Sequence, residues 1–121
     1  MSRRIFVRMT VAMLWIAGLL FSWRALAAAP PPVVVGLTAA FGVQGRHAAQ
    51  SLEKGIRLAL DEINAAGGVL GGRKLVLETA DDRGVPARGV DNYIAFAGRE
   101  NVAAVFCGRF SPVAIEISQV A

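Results

Sequence analysis

The sequence predicts a doubly wound α/β fold built on a parallel sheet, because strand-like runs alternate with helical segments. The runs at residues 33–37, 74–79 and 102–106 are short, apolar and typical of strands. Each is followed by a segment with the periodicity of an amphipathic helix, and the connections are short. This alternation favours a parallel sheet with right-handed crossovers, in which ligands bind beyond the carboxyl ends of the strands.

The first strand and helix are predicted within residues 33–66. The run at 33–37 is continuous and rich in β-branched residues, which is typical of a strand buried on both faces. A loop follows over residues 38–50. Ser51 is suited to cap a helix that continues to about residue 66, where two glycines end it. The apolar stripe of this helix consists of Leu52, Ile56, Ala59, Leu60 and Ile63.

The remaining elements follow from turn and capping residues. Residues 81–84 (DDRG) form a polar turn after the second strand. Pro86 fits the first turn of the second helix, where its missing N–H costs nothing. Ser111 and Pro112 then predict the start of a third helix, with serine as N-cap and proline as the first helical residue. Because the chain ends inside that helix, we expect residues 33–121 to be the N-terminal part of a longer, incomplete lobe.

Residues 1–27 are predicted to be a cleavable signal peptide that directs the protein to the periplasm. A basic start precedes an uncharged apolar run at 9–21, and residues 25–27 (ALA) match the cleavage pattern. The run is shorter than the roughly 20 residues needed to span a bilayer, although an uncleaved anchor is the alternative. Residues 2–8 (SRRIFVR) resemble the twin-arginine export motif, so the general and the twin-arginine routes both stay open. An Ala/Pro-rich leader follows at 28–32.

The net positive charge of the chain lies in the predicted signal peptide. The chain has 13 basic and 9 acidic residues, and four of the basic ones lie before residue 28: Arg3, Arg4, Arg8 and Arg24. The rest of the chain is therefore neutral overall, which removes the argument for a nucleic-acid partner. The single cysteine, Cys107, cannot form an internal disulfide and is expected to be a buried small residue rather than a nucleophile.

The motifs of common α/β enzymes are absent. The glycine-rich segment 67–74 lacks the lysine spacing of a phosphate loop and joins a helix to a strand, the reverse of the required order. The loop at 38–50 lacks a dinucleotide fingerprint. His47 is the only histidine and has no metal-ligand partner at a useful spacing. We therefore expect no cofactor, no metal and no catalysis, with an enzyme on an α/β sheet as the alternative.

Residues 107–114 (CGRFSPVA) are the most informative for function. The Ser111 hydroxyl and the free N–H groups of Val113 and Ala114 would form an anion site at a helix start, and Phe110 would supply an apolar wall. Ordinary helix capping is the alternative explanation of this serine and proline.

Several segments together resemble a known family. They are the strand at 34–36, the helix and turn at 54–75, the acidic pair at 81–82 and the segment 106–113 before a helix. Within them, residues 63–74 (INAAGGVLGGRK) are the most specific match. The chain from residue 33 to 121 resembles the first lobe of a type I periplasmic solute-binding protein of the branched-chain amino acid (leucine/isoleucine/valine) family.

This resemblance implies a solute receptor of an ABC transporter, which binds without turnover and is monomeric at full length. In that family two lobes close on an amino acid or a related small acid. The resemblance assigns the ligand's carboxylate to Ser111 and the Val113 N–H, and it places Phe110 and Phe41 in the pocket. The partner would be a membrane ABC permease. The alternative is a ligand-sensing domain of the same fold without a transport role.

Three positions depart from the family pattern. The loop at 38–50 lacks the usual S-G-P sequence, and Cys107 stands where glycine is common. Arg109 is also unusual there, so its charge either reaches solvent or serves an acidic ligand.

Overall fold

The computed structural model describes residues 29–42 and 45–121, so the predicted signal peptide lies outside the described residues. Strands and helices alternate along the chain. They are β1 (Val33–Ala39), α1 (Arg46–Ala65), β2 (Leu75–Asp81), α2 (Pro86–Ala97), β3 (Val102–Cys107) and α3 (Ser111–Ser118). The predicted order of strands and helices is confirmed.

The strands form one parallel sheet in the order β2-β1-β3. The central strand β1 is buried along its whole length, as its unbroken run of apolar residues predicts. Val35 pairs with Leu77 on one side and with Ala104 on the other. Because β2 and β3 lie on opposite sides of β1, the connections that leave β1 and β3 run to opposite faces of the sheet. Such a divergence opens a crevice at the carboxyl edge of the sheet.

Helices cover both faces of the sheet. The larger cluster joins alternate residues of β1 to α1 and β2; it contains Val35, Leu37, Ala39, Ala49, Ile56, Leu60 and Leu77. On the opposite face, Phe96 of α2 packs against Gly36, where an added Cβ would lie 2.9 Å from the ring. Gly89 of α2 lies against Val113 of α3. Because neighbouring residues of a strand point to opposite faces, this arrangement confirms the doubly wound α/β fold.

The predicted start of α1 at Ser51 is wrong. The helix begins at Arg46, and Gly45 precedes it in the left-handed conformation with φ 106°. Alanine is the best helix former, so the two alanines at 48 and 49 extend the helix towards the sheet edge. Ala49 is 5% exposed and belongs to the core, which stabilises this extra turn. The first loop is therefore much shorter than the predicted 38–50.

One side of the molecule stays open. Among the described residues β3 has no partner on its outer edge, and Phe106 and Ile115 are 46% and 60% exposed. The described part of the sheet thus has an unpaired edge at β3 and exposed apolar side chains beside it. Within the part of the chain that the structure describes, no helix combines the length and the apolarity needed to cross a bilayer.

Candidate functional site

A cavity of about 500 Å³ lies at the carboxyl ends of the three strands. Its walls come from all three loops at this edge. They are Ala39, Ala40, Gly45, His47, Ala48, Ala49, Asp82, Arg83, Gly84, Gly108, Arg109 and Phe110. The cavity occupies the crevice where parallel sheets of this type bind ligands.

Residues 81–85, which we call the acidic turn, are held by a buried polar network. Asp82 is 2% exposed, and its carboxylate accepts hydrogen bonds from the Thr38 hydroxyl at 3.2 Å and the Gly84 amide at 2.7 Å. The Asn92 amide group donates to the same Thr38 oxygen at 3.1 Å. The network therefore ties β1, the acidic turn and α2 together at the cavity, which Asp82 itself lines.

Asp81 holds the loop that follows β1 through a side-chain hydrogen bond. Its Oδ1 accepts the backbone amides of Phe41 and Arg83, each at 2.9 Å. The Asp82 amide also donates to the Ala39 carbonyl at 3.1 Å. The acidic pair, which the sequence placed at the end of the second strand, thus uses its oxygens within the protein.

Residues 108–111, which we call the basic loop, approach the sheet closely and then turn outwards. The Gly108 amide donates to the Thr38 carbonyl at 2.7 Å, and a Cβ on Gly108 would lie 2.9 Å from that of Ala39. This close approach requires glycine. Arg109 and Phe110 are exposed and line the cavity, so this loop contributes side chains to its wall.

The predicted capping of the third helix is wrong by one residue. Phe110 is the N-cap, Ser111 is the first helical residue, and no side chain caps the helix. The extended backbone of Phe110 directs its carbonyl at the amides of Val113 and Ala114, at 3.1 and 3.3 Å. These two amides are therefore not free, and the predicted anion site loses its backbone donors.

The four predicted ligand-binding residues occupy different places. Phe110 lines the cavity and is 50% exposed, and the exposed Ser111 follows it directly. Phe41 does not line the cavity; it packs against the α1-face core. Val113 is 1% exposed, and its side chain lies between α2 and α3. The structure thus brings only Phe110 of the four to the cavity wall, with Ser111 beside it.

Arg83 lines the cavity, although the sequence did not single it out. Its position at the end of a parallel strand was the signal, since all loops at that edge are candidates. His47 and Arg109 also line the cavity. In the described ranges, no cluster of three or more histidine, cysteine, aspartate or glutamate residues is arranged to hold a metal.

Cys107 ends β3 just before the basic loop and is partly buried. Burial raises the pKa of its thiol, and the nearby Asp82 carboxylate raises the pKa further. A raised pKa lowers the thiolate fraction at neutral pH, which makes the sulfur a poor nucleophile.

Comparisons with known proteins agree with the α/β fold of these residues. A family model described as "Periplasmic binding protein" matches residues 32–121, most of the chain. Among curated proteins, the Leu/Ile/Val-binding protein BraC3 of Rhizobium johnstonii is 40% identical over 87 residues. The match covers 72% of this chain and 21% of that relative, so the chain spans about a fifth of the relative's length.

Proposed function

Because the chain belongs to the type I periplasmic binding protein family, we propose that it forms part of a periplasmic receptor for a small carboxylate-bearing solute, such as a branched-chain amino acid. The named relative is a Leu/Ile/Val-binding protein, which supports this class of ligand. The receptor would deliver the solute to an ABC-type permease in the membrane, and the predicted signal peptide would export it.

The cavity at the strand ends is the observation that carries this proposal. Its volume of about 500 Å³ lies within the roughly 300–1,000 Å³ typical of small-molecule sites. It combines small apolar walls, such as Ala39 and Ala48, with a few polar groups. A second lobe closing over this opening would enclose a solute and present a closed form to the permease.

Ser111 is the residue that we propose for the ligand's carboxylate. Its side chain is exposed and capable of donating a hydrogen bond from its hydroxyl, while Phe110 beside it supplies an apolar wall. Phe41 would support the first loop from beneath. The Val113 amide is occupied by the Phe110 carbonyl, so Val113 would instead anchor the start of α3 through its buried side chain.

Calorimetric titration of the full-length gene product tests the proposal. The panel consists of branched-chain and acidic amino acids, their amides, and small mono- and dicarboxylates. We expect one-to-one binding of at least one member and recovery of that ligand unchanged after incubation, checked by NMR of the supernatant. Absence of binding across the panel, or conversion of the ligand, would contradict a receptor for small carboxylates.

A further inference from the structure

We propose that this cavity selects a ligand with a second negative charge, such as a dicarboxylate or an acidic amino acid. The inference rests on the proposed function. It narrows the ligand class from small carboxylates in general, branched-chain amino acids included, to those that carry a second negative charge. It is carried by Arg83 of the acidic turn and Arg109 of the basic loop, which line one cavity from two different loops.

Both cavity arginines lack an acidic partner within residues 29–42 and 45–121. Two arginines elsewhere are paired: Arg57 contacts Glu53 at 2.7 Å, and Arg99 forms a two-point contact with Glu78. Arg46 and Arg88 also lack an acidic partner in the described ranges, but only Arg83 and Arg109 combine this with a place in the cavity wall, where a ligand's charge can pair with them. Arginine suits this role because its planar guanidinium binds a carboxylate through two parallel hydrogen bonds.

The one carboxylate that lines the cavity, Asp82, offsets only one of the two arginine charges. Asp82 lines the cavity, but it is 2% exposed and accepts the Thr38 hydroxyl and the Gly84 amide. Asp81 holds the Phe41 and Arg83 amides. Asp82, Arg83 and Arg109 together therefore leave one net positive charge on the lining.

Lobe closure would make binding depend on whether the ligand brings a negative charge to the cavity arginines. Closing over a ligand removes water from the arginines, and an unpaired buried charge is costly. A leucine side chain offers the guanidinium groups no acceptor, whereas a second carboxylate does. The small walls at Ala39, Ala40 and Ala48 leave room for a short carbon chain between two carboxylates.

Matched ligand pairs test the inference in the full-length gene product. Glutamate is compared with glutamine, and succinate with succinamate, because each pair differs by one charge at nearly constant size. We expect the more anionic member to bind about tenfold or more tightly, as befits one charge-assisted hydrogen-bonded contact. Its affinity should also fall as the salt concentration rises.

Substitutions then locate the effect. R109Q and R83Q should each reduce the preference for the anionic member about tenfold while leaving the neutral member nearly unchanged. R88Q is the matched control, because Arg88 is exposed on α2 and does not line the cavity. It removes the same charge and should leave the preference unchanged.

The outcomes separate this inference from the proposed function. If leucine or glutamine binds more tightly than glutamate, or if both cavity variants keep the full preference, the inference is overturned while the receptor role stands. If nothing in the panel binds, the proposed function fails and the inference fails with it.

Discussion

The acidic turn and the basic loop both follow strands at the same edge of the sheet, yet they use their polar groups differently. In the acidic turn, the carboxylates of Asp81 and Asp82 together accept four hydrogen bonds from the protein. In the basic loop, Gly108 is held by a backbone bond, but Arg109 and Ser111 form no side-chain hydrogen bond within the described ranges.

This difference suggests a division of roles. Buried polar groups that are fully paired hold a fold in one arrangement, and removing one partner leaves the others unsatisfied. Exposed polar groups beside a cavity contribute little to stability and can bind a ligand. We therefore expect substitutions of the carboxylates in the acidic turn to change the free energy of unfolding, and those of Arg109 and Ser111 in the basic loop to change ligand affinity.

The largest effect is expected for Asp82→Ala. It leaves the Thr38 hydroxyl and the Gly84 amide without their acceptor, so the free energy of unfolding should fall by about 2–3 kcal/mol. Denaturant unfolding of the full-length gene product measures this change. Asp82→Asn should lower the free energy of unfolding by less, because asparagine keeps an acceptor oxygen.

The control for this substitution is Asp61→Ala on α1. Asp61 is exposed and outside the network, and its replacement should change stability by less than about 0.5 kcal/mol. Equal losses in Asp82→Ala and Asp61→Ala would show that the buried network does not stabilise this edge.

The next effect concerns binding. Ser111→Ala should weaken binding of the best ligand by about 1.5–3 kcal/mol, the value of a hydrogen bond to a charged group. The free energy of unfolding should change little. Calorimetry and thermal unfolding of the same samples separate the two quantities. Ser51→Ala on α1 is the control, since Ser51 is exposed and does not line the cavity. Unchanged affinity in the Ser111 variant would refute its carboxylate role.

Two glycine substitutions are expected to have smaller effects of opposite sign on the free energy of unfolding. Gly84 has φ 71°, so Gly84→Ala should destabilise the protein by about 1 kcal/mol through left-handed backbone strain. Gly55 lies inside α1 with open space where a Cβ would be added, and Gly55→Ala should stabilise by about 0.5–1 kcal/mol. Chemical denaturation compares the two, and the same sign for both would contradict the backbone argument.

The smallest expected effect is on the alkylation of Cys107, which precedes the basic loop and lies near Asp82 of the acidic turn. Burial raises the pKa of this thiol, and the Asp82 charge adds to the increase, so thiolate forms only at higher pH than in an unfolded chain. Alkylation should be slow at neutral pH and should accelerate as the pH rises through the raised pKa. Asp82→Asn should move that profile to lower pH, whereas Asp61→Asn should not move it. A profile identical to that of the denatured protein would contradict the burial.

The sequence was sufficient to predict the fold. The unbroken apolar run of β1 indicated a central buried strand, and Pro86 marked the start of α2 correctly. The start of α1 was not predictable from capping residues, because Ser51 is a good cap by type. Tertiary burial of Ala49 instead moved the helix start to Arg46.

The candidate site was predictable only in its location. Strand ends of a parallel sheet identify the three loops, but not which side chains face the cavity. Phe41 turned to the core because the acidic turn holds its backbone amide, a contact between residues 40 positions apart. The Ser111 cap failed because the Phe110 carbonyl closes the helix start one residue earlier, which depends on the φ and ψ angles of the loop.

Backbone amide chemical shifts of the full-length gene product, recorded during titration with its tightest ligand, test the central claim most directly. The account predicts that the largest changes in this region fall on the basic loop at Arg109 and Ser111, with smaller changes at Ala40. Asp81 and Asp82, whose oxygens stay within the protein, should shift less. Shifts concentrated on the outer surface of α1, around Arg57 and Asp61, with none at the strand ends, would contradict it.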